Sequence, residues 1–223
     1  MAIPKTLIFS TCLIPLTFLL SHLTMANPSS YSRRISPTTL GFHEEKLTHL
    51  HFYFHDVVTG PKPTMLIVAE PLKGKSDIPL PFGTTVAIED PLTQGPEAHS
   101  KVVGKAQGLY TSGAHEAMEL MMVMTFAFTE GEFNGSTLSV MGRNMIEHPL
   151  REMPVVGGTG AFRFARGYAQ TKFVSVDFVK GDAVVEYDVY VFHYLTHDSA
   201  APQSFHDGLE FMVDPILGKM SIN

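Results

Sequence analysis

The chain has 223 residues, 44% of them hydrophobic and 17% charged, with a formal net charge of −6, one cysteine and no tryptophan. That length and hydrophobic share suit a single folded domain with its own core, and a mild acidity with scattered basic residues argues against nucleic acid as a partner. The lone cysteine, Cys12, lies in a terminal segment that export would remove, which leaves no disulfide, no thiolate nucleophile and no cysteine-ligated metal.

Residues 1–26 read as a secretory signal peptide. Lys5 supplies the charged start, the run from Leu7 to Leu23 is mostly apolar, and Thr24-Met25-Ala26 ends in small residues suited to cleavage. Pro15 interrupts the run and no charged stop follows it, so a permanent membrane helix is not expected. Removal of Lys5 and of no acidic residue takes the net charge from −6 to −7. The expectation is a soluble, extracellular protein with no membrane partner.

Residues 27–46 are rich in Ser, Pro and Thr and carry Arg33-Arg34, as a flexible leader would. A single domain over 47–198 follows, and 199–223 form an extension with no readable role.

Thr48 to Val58 is the first clear strand. Period-two alternation puts Leu50, Phe52, Phe54, Asp56 and Val58 on one face and His49, His51, Tyr53 and His55 on the other. Asp56 therefore shares the apolar face, where loss of hydration raises a carboxyl's pKa and suits it to proton transfer. The alternative is a strand-end aspartate serving the turn that VTGPKP begins, and the residues alone leave both open. The His-x-His pair at 49 and 51 is a familiar ligand spacing, but no carboxylate follows at the usual offset, and no metal is expected.

From Thr64 onward short apolar runs alternate with turn signals. TMLIVAE, TTVAIED and KVVGKAQGLY are followed by MMVMTFAF, STLSVMG, QTKFVSVDFV and AVVEYDVYVFHY, separated by segments rich in Gly, Pro, Asn and Asp. This spacing predicts an all-β sandwich or barrel. Met118, Met121, Met122 and Met124 read as barrel packing rather than a helical stripe. Asn134-Gly135-Ser136 is a glycosylation sequon in a turn. The last strand, Ala183 to Tyr194, has Val185, Tyr187, Val189 and Val191 on one side and Asp188, Tyr190, Phe192 and Tyr194 on the other. The acidic and aromatic side suits either a cavity for an aromatic ligand or an outer face covered by a neighbouring subunit.

The stretch from Gly142 to Ala169, GRNMIEHPLREMPVVGGTGAFRFARGYA, breaks at GGTG and then carries Arg163 and Arg166. Three glycines in four residues mark a forced bend. VVGGTGAF superficially matches a dinucleotide-binding turn with Asp177 downstream, but that turn needs a helix after it, and the residues that follow alternate like strands.

Taken with LHFYFHDVVTGP (Leu50–Pro61), GKAQGLY (Gly104–Tyr110) and FNGSTLSVMGRN (Phe133–Asn144), REMPVVGGTGAFRFARGYA resembles the plant dirigent family, in motif order, from Leu47 to Tyr194. The resemblance implies an all-β fold, an eight-stranded antiparallel β-barrel of the dirigent and allene-oxide-cyclase kind, associated as a homotrimer with one phenolic pocket per barrel. It implies no cofactor. It also implies stereochemical control over phenylpropanoid or isoflavonoid quinone methides. In one branch a laccase or peroxidase makes coniferyl alcohol radicals whose coupling to lignans the barrel orients. In the pterocarpan-synthase branch the barrel dehydrates an isoflavan-4-ol and closes the ring.

Carried over by motif, the family's pocket aspartate matches Asp56, its tyrosine after AQG matches Tyr110, and its arginine before the VGG turn matches Arg151, which gives three candidate catalytic residues. Arg151 could instead be a turn-fixing ion pair with Glu147 or Glu152. Where lignan-forming members carry a second acid and a second tyrosine this chain has Asn144 and Ser112, a departure that favours the pterocarpan-synthase-like branch, as do the GRN, REM and GTGAFRFARGYAQ wordings. Asn144, Phe52, Phe54, Tyr190, Tyr194 and Arg166 complete the expected substrate-binding set, and Asn134 the expected glycosylation site.

Overall fold

The computed structural model describes residues 31–71 and 78–196. The expected signal peptide 1–26, the first residues of the expected leader and the extension 199–223 lie outside the described residues.

Nine strands follow in chain order: β1 (Phe42–Asp56), β2 (Met65–Ala69), β3 (Thr85–Thr93), β4 (Val102–Ser112), β5 (Glu119–Phe128), β6 (Thr137–Met145), β7 (Arg151–Thr159), β8 (Arg166–Val176) and β9 (Ala183–Thr196). Among the described residues the only helical segments are short 3₁₀ turns. The sheet order is β1-β9-β8-β7-β6-β5-β4-β3-β2, every neighbouring pair antiparallel. β1 pairs with β9 along its length and also with β3 through Tyr53↔Thr93 and Phe54↔Leu92, so eight strands close into a ring. β2 takes the rest of the β3 edge, Met65 opposite Ile88. Closure removes the unpaired edges that an open sheet would expose.

β1 begins at Phe42, five residues inside the stretch assigned to the leader. A register shift between Phe42 and Glu45 explains the discrepancy: it breaks the period-two pattern just where charged residues crowd the sequence. GGTG joins two strands. β7 ends at Thr159, a 3₁₀ turn spans Gly160–Phe162, and β8 starts at Arg166. Gly160 has φ +62°, and a Cβ on Gly158 would lie 2.3 Å from the Thr137 carbonyl oxygen.

The strand alternation sorts the side chains. Met122, Met124, Phe126 and Phe128 of β5 point inward and are buried, whereas Met121 and Val123 face out. One end of the barrel is plugged by aromatic rings: Phe162 packs 5.7 Å from Phe128 and 4.7 Å from Phe133, and His193 Nδ1 donates to the Ala161 carbonyl at 3.0 Å. Mid-barrel, Tyr187 stacks on Phe52 at 5.6 Å and meets Phe126 edge-on at 5.3 Å, which forms one aromatic layer. Beyond that layer the other end stays open.

Candidate functional site

Above the Phe52–Tyr187 layer lies a cavity of about 360 Å³. Its wall is mostly apolar, with Phe54, Met65, Leu80, Met118, Leu120, Met122, Ile146, Phe173 and Val185, and it admits few polar groups: Asp56, Tyr110, Asn144, Arg151 and Tyr187, with Asp177 and Lys180 at the same end. An apolar cleft with a few convergent polar groups is the usual form of a small-molecule site.

Asp56 is the last residue of β1, at the inward phase that Phe52 and Phe54 share. The turn after it is held by another aspartate. The Asp182 carboxylate accepts from the Val58 and Thr59 amides at 2.8 and 2.9 Å and from the Thr59 hydroxyl at 2.7 Å. Of the two readings of Asp56, the structure therefore selects the cavity: Asp182 caps the turn and leaves Asp56 facing inward. Burial, helped by the charge of Asp182, raises the Asp56 pKa from 3.8 to about 6. Its Oδ1 is buried with no hydrogen-bond partner among the described residues. Such a carboxyl exchanges a proton near neutral pH and has a free position for a ligand.

Asp90 belongs to none of the sequence motifs. It follows Val86 and Ile88 at the inward phase of β3 and is fully buried. Burial first, and the neighbouring Asp56 charge second, push its pKa to about 8, against the lowering effect of the Thr64 hydroxyl, which donates to it. The same hydroxyl accepts from the Val57 amide at 2.9 Å. Thr64 thus ties the two acid-bearing strands together. The signal was in the sequence, because Val86, Ile88, Asp90 and Leu92 repeat the apolar-face pattern that singled out Asp56.

Arg151, the first residue of β7, is buried. It has no carboxylate partner among the described residues, so the ion pair with Glu147 or Glu152 is not formed. Its Nε donates to Thr171 Oγ1 at 3.2 Å, its Nη1 donates to the Ile146 carbonyl at 3.4 Å, and its guanidinium lies 4.0 Å from the Phe173 ring centre. A planar cation held by a hydroxyl, a carbonyl and an aromatic face retains its charge for a ligand. Burial raises the Tyr110 hydroxyl pKa, and the Asp56 and Asp90 charges add to it, so Tyr110 stays protonated as a donor. Asn144 lines the cavity with its Oδ1 unpartnered among the described residues. Ser112 lies outside the cavity wall; its hydroxyl donates to the Leu80 carbonyl at 2.9 Å and pins the segment that carries Leu80.

The structure thus brings Asp56, Tyr110, Asn144, Arg151 and Phe54 together and separates the other expected binding residues from them. Phe52 belongs to the layer beneath the cavity. Tyr190, Tyr194 and Arg166 are corrected to the outer wall, because Val185 and Tyr187 take the inward phase of β9 and the even-numbered residues then point out. Tyr190 stacks on His49 at 4.6 Å, and Arg166 pairs with Glu45, Nη2 to Oε2 at 2.8 Å, beneath the Phe192 ring. Asn134 is exposed at the end of the 131–133 turn. Three histidines differ from expectation as well. His55 is buried and bonded to Thr93 Oγ1 at 2.7 Å, and His49 and His51 do meet a carboxylate, that of Asp188 on β9.

The Dirigent-like protein family model matches 47–192. Pterocarpan synthase 1 of Glycyrrhiza echinata is 68% identical over 182 residues, covering 81% of this chain and 95% of that protein. Pterocarpan synthase 1 of Glycine max is 68% identical over 167 residues, covering 74% of this chain and 89% of that one. A solved structure of a pterocarpan synthase dirigent protein superposes with a TM-score of 0.65 at 72% identity, over 68% of this chain and 87% of the other.

Proposed function

The chain belongs to the dirigent family, and on that premise we propose that it is a cofactor-free dehydratase that converts an isoflavan-4-ol to a pterocarpan. The observation that carries the reading is a desolvated Asp56 carboxyl, with a pKa of about 6, in the same small apolar cavity as the charge of Arg151.

Protonated Asp56 gives its proton to the benzylic C4 hydroxyl, the C4–O bond breaks, and water leaves while the para-phenol releases its proton to solvent at the open end of the cavity; the product is a neutral quinone methide. Arg151 and the Tyr110 hydroxyl stabilise the negative charge that develops on the phenolic oxygen. The 2′-hydroxyl then adds to C4, its proton returns to the Asp56 carboxylate, and the phenolic oxygen is reprotonated. Substrate and product differ by one water, so no oxidant is consumed. The apolar wall keeps bulk water from adding to the quinone methide, and a cavity closed on most sides lets the 2′-hydroxyl reach one face of C4. Asn144 fits this chemistry. A neutral amide there leaves Asp56 as the cavity's proton donor and offers only hydrogen bonds.

The test is incubation of the purified protein with racemic isoflavan-4-ol in the absence of any oxidase, followed by chiral chromatography. Enantioselective conversion to a pterocarpan is expected. Product that forms only when laccase or peroxidase and coniferyl alcohol are supplied would move the function to radical guidance.

The same proposal includes export to the apoplast through residues 1–26, a glycan on Asn134 and assembly as a homotrimer. Exposure of Asn134 supports the glycan. The sequon's Ser136 is buried and its hydroxyl accepts from the Ala161 amide at 3.0 Å, so transfer would precede closure of that turn. Support for assembly comes from an apolar stripe on the outer wall, where Leu109, Val123 and Met141 are direct cross-strand neighbours on β4, β5 and β6, each more than 40% exposed.

A further inference from the structure

We propose that the outer wall of the barrel carries a binding site for one borderline divalent transition metal, Zn²⁺ or Cu²⁺, formed by His49, His51 and Asp188. His49 and His51 occupy alternate positions of β1 and so project from the same face, and Asp188 is the direct cross-strand partner of His51 on β9. Asp188 Oδ1 lies 2.7 Å from His49 Nε2 and 3.0 Å from His51 Nδ1, and the three ligand atoms all lie within 4.8 Å of one another. Metal–nitrogen and metal–oxygen bonds of about 2.0–2.1 Å require ligand atoms roughly 3.3 Å apart in a tetrahedral shell. The observed hydrogen-bond spacing is thus within a small side-chain adjustment of a ligating one.

Two features make this more than a chance cluster of polar groups. Each imidazole is already oriented by a second contact. The His49 ring stacks on Tyr190 at 4.6 Å with an interplanar angle of 10°. His51 places its other nitrogen, Nε2, 3.2 Å from the Tyr53 hydroxyl and 3.9 Å from Glu186 Oε1. When Nδ1 turns its lone pair to a metal, the ring proton moves to Nε2, where the Tyr53 oxygen and the Glu186 carboxylate can accept it; metal-bound histidines are commonly held in this way. Glu186 is in turn 3.1 Å from the Lys172 ammonium. Two imidazoles and one carboxylate suit Zn²⁺ and Cu²⁺ and are too poor in oxygen for Ca²⁺ or Mg²⁺. The side chains are half-exposed, so an ion can enter and water can complete the shell.

The ion would join β1 to β9 on the outside of the wall whose inside carries Phe52 and Tyr187. It lies apart from the Asp56 cavity and takes no part in the dehydration. Its expected effects are stoichiometric binding and a stabilised folded state.

The purified full chain is titrated with zinc chloride in competition with a chromogenic chelator. One Zn²⁺ per chain is expected, unaffected by excess Ca²⁺, with a melting temperature that rises with zinc concentration. His49→Gln, His51→Gln and Asp188→Asn should each weaken binding by tenfold or more, on the order expected for loss of one ligand in three, and His148→Gln, an exposed histidine elsewhere, should leave it unchanged. As a measurement independent of variants, the electron paramagnetic resonance spectrum of the Cu²⁺-loaded protein should carry couplings from two nitrogens. Absence of saturable binding, equal affinity in the His49 and Asp188 variants, or a spectrum lacking two nitrogen ligands would overturn the site and leave a hydrogen-bonded His–Asp–His cluster.

Discussion

At the scale of single residues, the chemistry depends on how far each charge is removed from water. Arg151 is a buried guanidinium with no carboxylate neighbour among the described residues, so it can answer a charge that develops on a substrate. Replacement of Arg151 by Gln should lower kcat/KM about 100-fold, the usual cost of losing a donor aimed at a developing oxyanion. Lysine should not restore it, since a point charge lacks the fork that engages Thr171 and the plane that stacks on Phe173. The buried acids make a separate prediction about stability. Asp56 and Asp90 bind a proton more tightly in the folded chain, with pKa values of about 6 and about 8, than the 3.8 of an ordinary aspartate. Between about pH 4 and pH 8 the folded state therefore holds more protons than the unfolded one, and stability falls as pH rises. Asp90→Asn mimics the protonated acid, so it should flatten that slope and stabilise the protein at pH 8 by about 1 kcal/mol or more, measured by urea unfolding at pH 5 and pH 8. A variant that keeps the wild-type slope would show that Asp90 is ionised in the fold.

At the scale of elements, two devices set the site. Asp182 fixes the end of β1 by accepting three hydrogen bonds, and so determines where Asp56 points. Gly158 lets β6 and β7 approach at the bend that precedes Phe162. A Cβ there would sit 2.3 Å from the Thr137 carbonyl oxygen and 2.7 Å from the Phe162 Cβ, neither of which is a flexible tip. Gly158→Ala should destabilise the protein by about 2 kcal/mol or more, read as a lowered denaturant midpoint at unchanged m-value. Much at this scale was legible in the sequence. Period-two runs separated by turn residues announced the strands, and GGTG announced a bend. What the pattern could not decide was which side of β9 faces in, because Val185, Tyr187 and Val189 alternate with a set almost as apolar, Tyr190, Phe192 and Tyr194. Only closure of the ring settles that phase, and with it the exclusion of Tyr190 and Tyr194 from the cavity. For the same reason Asp188 was not assigned to the histidines: its partners on β1 are more than a hundred residues away in sequence. Asp56 is marked both by alternation and by motif, whereas Tyr110, Asn144 and Arg151 are reached through motif resemblance alone. Asp90 shares the alternation signal of Asp56 but belongs to none of the motifs.

For the whole molecule, the barrel divides its labour along its axis. One end is filled by Phe128, Phe133, Phe162 and His193, and the other is left open as the cavity. The outer wall displays Leu109, Val123 and Met141 side by side, an apolar surface that a second copy would cover. Light scattering on the purified protein should give three times the chain mass, and Val123→Glu should reduce it to that of a monomer; a wild-type monomer would contradict the trimer. The central claim is that Asp56, held out of water, supplies the proton for loss of the benzylic hydroxyl. Its most direct test is the pH dependence of kcat/KM for oxidase-free conversion of an isoflavan-4-ol, corrected for the spontaneous reaction. A plateau at low pH, a bend near pH 6 and a fall of about tenfold per pH unit above it are expected, with Asp56→Asn reduced about 100-fold or more and lacking the bend. A rate that stays level from pH 5 to pH 8, or an Asp56→Asn variant as fast as the wild type, would contradict it.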